Sequence, residues 1–246
     1  MPKTSDPDVR VVVRNVRKRF VLRHTHSFKE TFVALIKGKK LTTSFDALHD
    51  VDITIREGES VALFGHNGSG KSTLLKLISG VLRPDVGEVL TRGRIAGLIE
   101  VGAGFHPDLS GRENIYLNAA ILGMGKKEID ARFDEIVEFS EIGDFIDTEV
   151  KHYSSGMFVR LAFAVAIHTT LDVLLVDEIL AVGDEPFQRK CLDKIRELQS
   201  QGKTMVVVSH SLDTTANLCS RGILIEKGRV VFDGDSHEAV ARMRGK

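Results

Sequence analysis

The sequence predicts an α/β fold in which helices cover both faces of a largely parallel sheet. Two continuous apolar runs, at residues 173–176 and 205–208, have the length of strands and are typical of central strands in a parallel sheet. A third apolar segment, residues 60–64, leads into a glycine-rich turn and then into a helical pattern. The chain has 246 residues, of which 42% are hydrophobic, so it can bury the core that such a sheet requires.

The other elements follow from local patterns along the chain. β-Branched residues predict strands, and apolar residues that recur at helical spacing predict helices. Further strands are expected at residues 9–13, 51–55, 89–90 and 94–99, with a closing hairpin at 223–226 and 229–232 across Lys227-Gly228. Helices are expected at residues 72–78, 115–122, 126–139, 155–169, 186–199 and 212–218. Ser110 and Glu113 have the spacing of a capping box before the second of these helices.

These elements divide the chain into a core that contains the sheet and a part that is helical. We expect the core at about residues 1–104 and 171–246, and a helical subdomain at about 105–170. An antiparallel layer is expected from the N-terminal strands together with the closing hairpin. Residues 23–44 have the character of an insertion, and four apolar residues within it share one face of a short helix. These residues are Phe28, Phe32, Leu35 and Ile36.

The charge of the chain is balanced overall but uneven along its length. Lys and Arg together number 34, as do Asp and Glu, so we expect no nucleic-acid partner. Residues 1–40 hold eleven Lys or Arg against three acids, which indicates either a solvated face or attraction to an anionic membrane surface. We find no signal peptide and no apolar run of the roughly 20 residues that a membrane span needs. We therefore expect a cytoplasmic chain whose two cysteines are packing residues.

The glycine-rich turn after residues 60–64 matches the phosphate-binding motif G-x-x-x-x-G-K-[ST] in full. Its glycines allow consecutive backbone N–H groups to surround phosphate oxygens, and the helix that follows directs its positive end there. Lys71 adds a charge for the β- and γ-phosphates, and the Ser72 hydroxyl is a ligand for Mg²⁺. The predicted nucleotide contacts in this segment are Gly65, His66, Asn67, Gly68, Ser69, Gly70, Lys71, Ser72 and Thr73.

Three further side chains follow the two central strands at the carboxyl edge of the predicted sheet, where ligands bind in open α/β sheets. Asp177 and Glu178 follow one of these strands, and His210 follows the other. Asp177 is placed to hold Mg²⁺ through its water shell, and Glu178 is placed to polarise the attacking water. His210 is expected to contact the γ-phosphate. The predicted catalytic residues are therefore Glu178, His210 and Lys71.

A short segment at the start of the helix predicted for 155–169 resembles the signature sequence of ATP-binding cassette (ABC) proteins. The segment is Tyr153-Ser154-Ser155-Gly156-Met157, followed by Arg160. The resemblance implies a P-loop NTPase core of the ABC ATPase type with an antiparallel β-subdomain and a helical subdomain. It also implies that two copies stack head to tail, so that the signature of one copy, through Ser154, Ser155 and Gly156, closes on the ATP and Mg²⁺ held by the other.

Several positions depart from the usual pattern of that family. Met157 and Ser155 replace the usual Gln and Gly of the signature. By the resemblance, Phe20 stacks on adenine without the hydroxyl of the usual Tyr. Glu100 stands where the family has a Gln that senses Mg²⁺ and faces the transmembrane partner, so it is a further candidate metal ligand. Asp184 is the acid of the turn after the acidic strand end and is a candidate nucleotide contact.

Three segments, at 153–157, 98–107 and 111–117, together look like the ATPase subunits of bacterial polysaccharide exporters. The resemblance implies a peripheral subunit on the cytoplasmic face of the inner membrane. Two copies would power two permease subunits that move a lipid-linked polysaccharide such as O-antigen, teichoic acid or galactan. The insertion at 23–44 would lie at the membrane face beside the permease, or would pack on its own core. Longer members carry a carbohydrate-binding domain after the cassette, which we do not expect here.

The main alternative is the ATPase of another ABC transporter, either an importer or a drug or lipid exporter. Importers more often keep Gln at the position of Glu100 and Leu-Ser-Gly-Gly-Gln as the signature. A non-transport ABC ATPase usually carries a coiled-coil insertion or two cassettes in one chain. A P-loop kinase would not have the signature.

Overall fold

The computed structural model describes residues 6–23, 42–98, 102, 104–177, 183–209 and 211–245. The helix expected inside the insertion lies outside these ranges, as do Glu100, Glu178 and His210. The strands are β1 (Val9–Arg23), β2 (Thr42–Arg56), β3 (Ser60–Phe64), β4 (Val86–Thr91), β5 (Ile95–Leu98), β6 (Val173–Asp177), β7 (Thr204–Val208), β8 (Arg221–Glu226) and β9 (Arg229–Asp235). The helices are α1 (Lys71–Ile78), α2 (Gly111–Ile121), α3 (Lys126–Ser140), α4 (Ser155–His168), α5 (Glu185–Ser200), α6 (Leu212–Leu218) and α7 (Ser236–Met243).

The central sheet has six strands in the order β5-β6-β7-β3-β8-β9, and all of them are parallel except β9. Alternate residues of a strand face opposite sides of the sheet, and here both sides are covered. In β3, Val61 and Leu63 pack with α1 and the antiparallel strands, whereas Ala62 and Phe64 pack on the side of the other helices. The two continuous apolar runs are confirmed as the central strands β6 and β7.

The second sheet is antiparallel and has the order β2-β1-β4. The prediction that the closing hairpin belongs to this layer is wrong, because β8 pairs in parallel with β3 and extends the central sheet. The cause is the composition of β8, whose residues 222–225 are all buried. A strand that is apolar on both faces is stable between two covering layers, and the central sheet offers that position. β4 takes the third place in the antiparallel sheet.

Strands β1 and β2 extend past β4 as a two-stranded hairpin. β4 pairs with β1 only from Val11 to Arg17, whereas the β1–β2 pairing continues to residues 23 and 42. Residue 23 and residues 42–44 are therefore strand, although the sequence placed them in the insertion. In this hairpin Phe20 lies opposite Phe45, and such cross-strand aromatic pairs stabilise an antiparallel ladder.

Five basic residues of β1 are paired with acids from elsewhere in the molecule. Their N–O distances are 2.5–3.1 Å. The pairs are Arg10–Glu57, Arg14–Glu88, Arg17–Asp50, Lys18–Asp85 and Arg19–Asp46. For the described part of the N-terminal region, this pairing favours a solvated face over attraction to an anionic membrane, because the charge is balanced locally.

The helical part, α2 to α4, lies between β5 and β6 along the chain. The predicted capping box is confirmed: Ser110 Oγ accepts a hydrogen bond from the Glu113 N–H at 3.2 Å, and the Glu113 carboxylate accepts one from the Ser110 N–H at 2.8 Å. The Tyr153 hydroxyl donates to the Phe145 carbonyl at 2.7 Å and fixes the segment that leads into α4. None of the helices in the described ranges is long and apolar enough to span a bilayer.

The chain closes with helix α7, which the sequence analysis did not predict. Its N-cap is Asp235, whose carboxylate accepts a hydrogen bond from the Glu238 N–H at 3.0 Å. The preceding turn of the hairpin is confirmed at Lys227 and Gly228, with φ angles of 47° and 77°. Two successive positive φ angles match the twist of the flanking strands.

Candidate functional site

The turn between β3 and α1 is shaped by glycines with positive φ angles. Gly65, Gly68 and Gly70 have φ angles of 146°, 77° and 113°, a region that other residues rarely adopt. A Cβ atom on Gly65 would lie 2.2 Å from the Ile225 carbonyl oxygen, and one on Gly70 would lie 2.7 Å from the Ala47 carbonyl oxygen. The turn is thus held closely against β8 and β2, and a side chain fits at neither of these two positions.

The first turn of α1 presents backbone N–H groups without a capping side chain. Its N-cap is Gly70, and no acidic residue lies in the first turn. Such a helix start attracts anions, because its N–H groups and the helix dipole both offer positive charge. The Lys71 ammonium donates to the carbonyl oxygens of Gly65 at 2.7 Å and His66 at 3.1 Å, so it reaches back across the turn. We call residues 65–73 the cationic cradle.

Two cavities adjoin the cationic cradle. One, of about 440 Å³, is lined by residues 67–73 and by Phe20, Phe45 and Ala47 of the β1–β2 hairpin, so the structure brings Phe20 together with most of the predicted phosphate contacts. The other, of about 430 Å³, adjoins residues 63–67 and includes Ser209 at the end of β7. A larger cavity of about 540 Å³ lies between α3 and α5, and none of the predicted site residues that the structure describes lines it.

Asp177 ends β6 at the carboxyl edge from which the cradle also emerges. β7 lies between β6 and β3, and Asp177 is in register with Val208 of β7. The Ser72 hydroxyl and the Asp177 carboxylate are the oxygen donors that Mg²⁺ prefers, and this ion usually binds through one or two protein ligands plus water and phosphate oxygens. These two side chains therefore fit a Mg²⁺ ion. Glu100, Glu178 and His210 lie outside the described residues and stay predictions.

The predicted signature segment lies at the start of α4. Ser154 is the N-cap of this helix, and its Oγ accepts a hydrogen bond from the Met157 N–H at 3.2 Å. Ser154 and Ser155 are exposed, and the first turn of α4 has no acidic residue. Among the described residues, the nearest atom that a Cβ on Gly156 would meet is Ser154 Oγ, at 3.9 Å. As far as the structure describes the chain, none of these three residues lines either cavity beside the cradle.

An ion-pair network that the sequence analysis missed joins α4 to the start of α5. Arg160 on α4 binds Glu141 at 2.9 Å and Asp184 at 2.6 Å. Its guanidinium also lies 4.9 Å from the centroid of the Phe187 ring. Desolvation raises the pKa of Asp184, but the hydrogen bonds that it accepts from Arg160 and from the backbone outweigh this and hold its pKa below the usual value. Asp184 is therefore paired within its own chain and lines neither cavity beside the cradle.

Phe45 is a further residue of the site that the sequence analysis missed. Its ring stacks on Phe20 with centroids 5.5 Å apart and an interplanar angle of 28°. The sequence analysis placed this strand at residues 51–55, whereas β2 already begins at Thr42. A strand predicted from that point would have included Phe45, and the alternation of its side chains would have identified the face on which Phe45 lies.

Known proteins resemble this chain over most of its length. The ABC transporter family profile matches residues 48–181. The chain is 52% identical over 196 residues to the ABC transporter protein AbcA of Aeromonas salmonicida. This match covers 80% of this chain and 64% of that protein. It is 46% identical over 248 residues to the O-antigen export system ATP-binding protein RfbB of Myxococcus xanthus. This match covers 99% of this chain and 57% of that protein. The chain thus spans 64% and 57% of the length of these two relatives.

The fold agrees with that of a solved cassette. A dimeric ATP-binding cassette in a post-hydrolysis state with ADP and Pi matches with a TM-score of 0.72 at 24% identity, over 92% of this chain and 98% of that chain. At this level of identity the likeness concerns the fold, and it confirms the predicted α/β fold class. Because the family profile covers more than half of the chain and the sequence relatives extend the match to both ends, the chain belongs to the ABC transporter family.

Proposed function

We propose that this chain is the ATP-hydrolysing, nucleotide-binding subunit of an ABC exporter for a lipid-linked polysaccharide. The observation that carries the proposal is the cationic cradle, because a glycine-rich turn followed by an uncapped helix start suits the phosphates of a nucleoside triphosphate. The choice of cargo rests on the likeness to an O-antigen export system ATP-binding protein over 99% of the chain.

Within one copy, the cradle binds the triphosphate and holds it for attack by water. Lys71 exchanges the two backbone carbonyls that it now contacts for β- and γ-phosphate oxygens, which bind an ammonium more strongly because they are charged. Ser72 and Asp177 hold Mg²⁺, with Glu100 as a further ligand. The ion neutralises charge on the β- and γ-phosphates.

The hydrolytic step itself depends on residues at the carboxyl edge of the central sheet. Glu178, next to Asp177 at the end of β6, accepts a hydrogen bond from the attacking water and orients it toward the γ-phosphorus. His210, after β7, donates to a γ-phosphate oxygen. Phe20 stacks on the base and fixes the other end of the nucleotide.

A second copy of the chain completes each site. The exposed start of α4, with Ser154, Ser155 and Gly156, closes on the γ-phosphate bound by the cradle of the other copy, and Asp184 lies at the same contact. The support is that α4 has a helix start without acidic residues, which favours an anion, yet in the described part of the chain this start lines neither cavity beside the cradle. ATP thereby joins the two copies, and hydrolysis separates them.

The closing and opening of this homodimer drive a separate integral-membrane permease in a complex of two subunits of each kind. The chain then acts as a peripheral protein on the cytoplasmic face of the inner membrane, and the permease handles the lipid-linked polysaccharide. The likeness to an export-system ATP-binding protein supports this assignment.

The proposal is tested by Glu178→Gln, which keeps the size of the side chain but removes the charge that polarises water. We expect ATP binding to persist, hydrolysis to fall by about a hundredfold or more, and an ATP-bound dimer to accumulate on a sizing column. The matched control is Glu185→Gln, which changes an exposed glutamate that pairs with Arg189. A Glu178→Gln variant with the activity of the control would contradict the assignment of the water-orienting residue.

A further inference from the structure

The cavity on the hairpin side of the cradle has two aromatic rings rather than one. Phe20 and Phe45 lie directly opposite each other on β1 and β2 and stack at 5.5 Å between centroids. Phe45 is 48% exposed, so part of this ring is open to a ligand. The ammonium of Lys18 lies 5.6 Å from the Phe20 centroid and pairs with Asp85, so Phe20 is contacted by both a ring and a cation. Phe20 is only partly buried, so both rings keep surface open to a ligand, and the larger share belongs to Phe45.

The position of this ring pair relative to the phosphates is fixed by backbone contacts. The Ala47 carbonyl packs so closely on Gly70 that a Cβ there would lie 2.7 Å from it. The His49 N–H donates to the Gly228 carbonyl at 2.8 Å, and the Gly228 N–H donates to the Ser69 carbonyl at 2.9 Å. β2, the β8–β9 turn and the cradle are thus tied together, so the rings have a set distance from the cradle.

The chemistry of this wall differs from that of the rest of the cavity. In the part of the cavity that the structure describes, the polar side chains belong to the cradle at 67–73, which is the proposed phosphate site. The hairpin wall consists of Phe20, Phe45 and Ala47, whose side chains offer no hydrogen-bonding group. A wall of this kind contacts the face of a base, where all bases are alike, and does not contact the edge, where adenine and guanine differ.

We propose that Phe45 and Phe20 together form a two-ring platform for the nucleotide base, so that the site selects for a purine but does not distinguish adenine from guanine. This inference rests on the proposed nucleotide-binding function and deepens it. Phe45 is then a base-contacting residue in its own right. Larger bases gain more from the platform, because stacking grows with the area of the ring faces in contact.

The test is the equilibrium affinity of the full chain, with Mg²⁺, for ATP, GTP, UTP and inorganic tripolyphosphate. For the unaltered chain we expect ATP and GTP to agree within about threefold, UTP to bind more weakly and tripolyphosphate to bind most weakly. Phe45→Ala should weaken ATP and GTP binding by about fivefold to a hundredfold and leave tripolyphosphate unchanged. Phe45→Trp should retain affinity for both purine nucleotides, whereas Phe45→Leu, which keeps apolar bulk without a π-face, should behave like Phe45→Ala.

The matched control is Val21→Ala, which truncates a 59% exposed apolar residue next to Phe20 that points to the opposite face of the hairpin. This variant should bind ATP as the unaltered chain does. If Phe45→Ala or Phe45→Leu bound ATP as tightly as the control, or if ATP were preferred to GTP by more than about tenfold, the two-ring platform would be wrong while the proposed function would stand. If the unaltered chain failed to bind ATP at all, the proposed function would fail and the platform with it.

Discussion

The starts of α1 and α4 are alike in charge but differ in their surroundings. Neither helix has an acidic residue in its first turn, so both offer positive charge to an anion. The start of α1 has a glycine N-cap, a lysine that reaches across the turn and cavities beside it. The start of α4 is exposed, and its N-cap Ser154 already binds one N–H of its own helix. The start of α1 is thus a walled site, whereas the start of α4 is open to solvent.

Under the proposed function, this difference would explain why a single copy holds the phosphates but does not complete the chemistry. A helix start at an open surface binds an anion weakly, because water competes for the same N–H groups. If it lay against a γ-phosphate held by another copy, as proposed, the start of α4 would be shielded from water and its charge would act at lower dielectric. The predictions below change residues first in the walled site at α1, then at the open start of α4, and then in the contacts that stabilise the helices α2 to α5.

The largest effect is expected from Lys71→Ala in the walled site. The change removes the ammonium that spans the turn and would meet the β- and γ-phosphates. We expect ATP hydrolysis to fall by about a thousandfold, measured as phosphate release at saturating ATP. Lys76→Ala, in the last turn of the same helix, is the control and should retain activity. Equal activities of the two variants would show that the cradle does not hold the phosphates.

A smaller effect is expected from a change of charge at the start of α4. Asn and Asp both cap a helix well, so Ser154→Asn and Ser154→Asp should fold with similar stability. The Asp variant places a negative charge against the γ-phosphate of the other copy, so we expect its hydrolysis to fall about a hundredfold below that of the Asn variant. ATP binding to a single copy should be the same in both variants. Equal hydrolysis by the two variants would place the start of α4 away from the nucleotide.

The Arg160 network should affect the stability of the chain more than its affinity for nucleotide. Arg160→Ala leaves Glu141 without its Arg160 bond and Asp184 without its cation, and it removes the contact with the Phe187 ring. We expect the free energy of unfolding to fall by about 1–3 kcal/mol, measured by urea denaturation. Arg160→Lys should lose less, because it keeps the charge but not the two-pronged geometry. No loss in either variant would show that the network is not a structural joint between α4 and α5.

The smallest effect is expected at the capping box of α2. Ser110→Ala removes the hydroxyl that accepts the Glu113 N–H, at a cost of about 1 kcal/mol in stability. In the folded chain, hydrogen bonds from the Ser110 backbone and hydroxyl lower the pKa of Glu113. The stability from this carboxylate is therefore present above its unfolded pKa and is lost as the pH falls through the folded pKa. In unfolding curves measured at low pH, Ser110→Ala should show a weaker dependence of stability on pH than the unaltered chain. An unchanged dependence would contradict the role of the hydroxyl.

The sequence predicted well those features that depend on residues close together in the chain. The turn at 65–72, the capping box at Ser110 and the central strands β6 and β7 are local patterns, and the structure contains each of the corresponding elements. The start of α4 was also predicted, because Ser154 is a strong N-cap residue before an apolar helix.

The features that were missed or wrong depend on pairings between distant parts of the chain. The closing hairpin was assigned to the wrong sheet, because its pairing with β3 spans about 160 residues and leaves no local pattern. The stacking of Phe45 on Phe20 and the pairing of Arg160 with Asp184 are likewise tertiary contacts. Helix α7 is a different case, since Asp235 and Glu238 do have the spacing of a helix cap.

The most direct test of the account is a disulfide between two differently tagged copies, one with Asn67→Cys and the other with Ser154→Cys, both with Glu178→Gln to retain ATP. The native Cys191 and Cys219 are each only 2% exposed, and burial raises the pKa of both thiols to about 12, so they should give little background.

The account predicts that mild oxidation joins the two tagged copies when ATP and Mg²⁺ are present, and that no such dimer forms without nucleotide. If ATP bound to the mixture but no disulfide between the copies formed, the start of α4 in one copy would not face the cradle of the other, and the shared site would be contradicted.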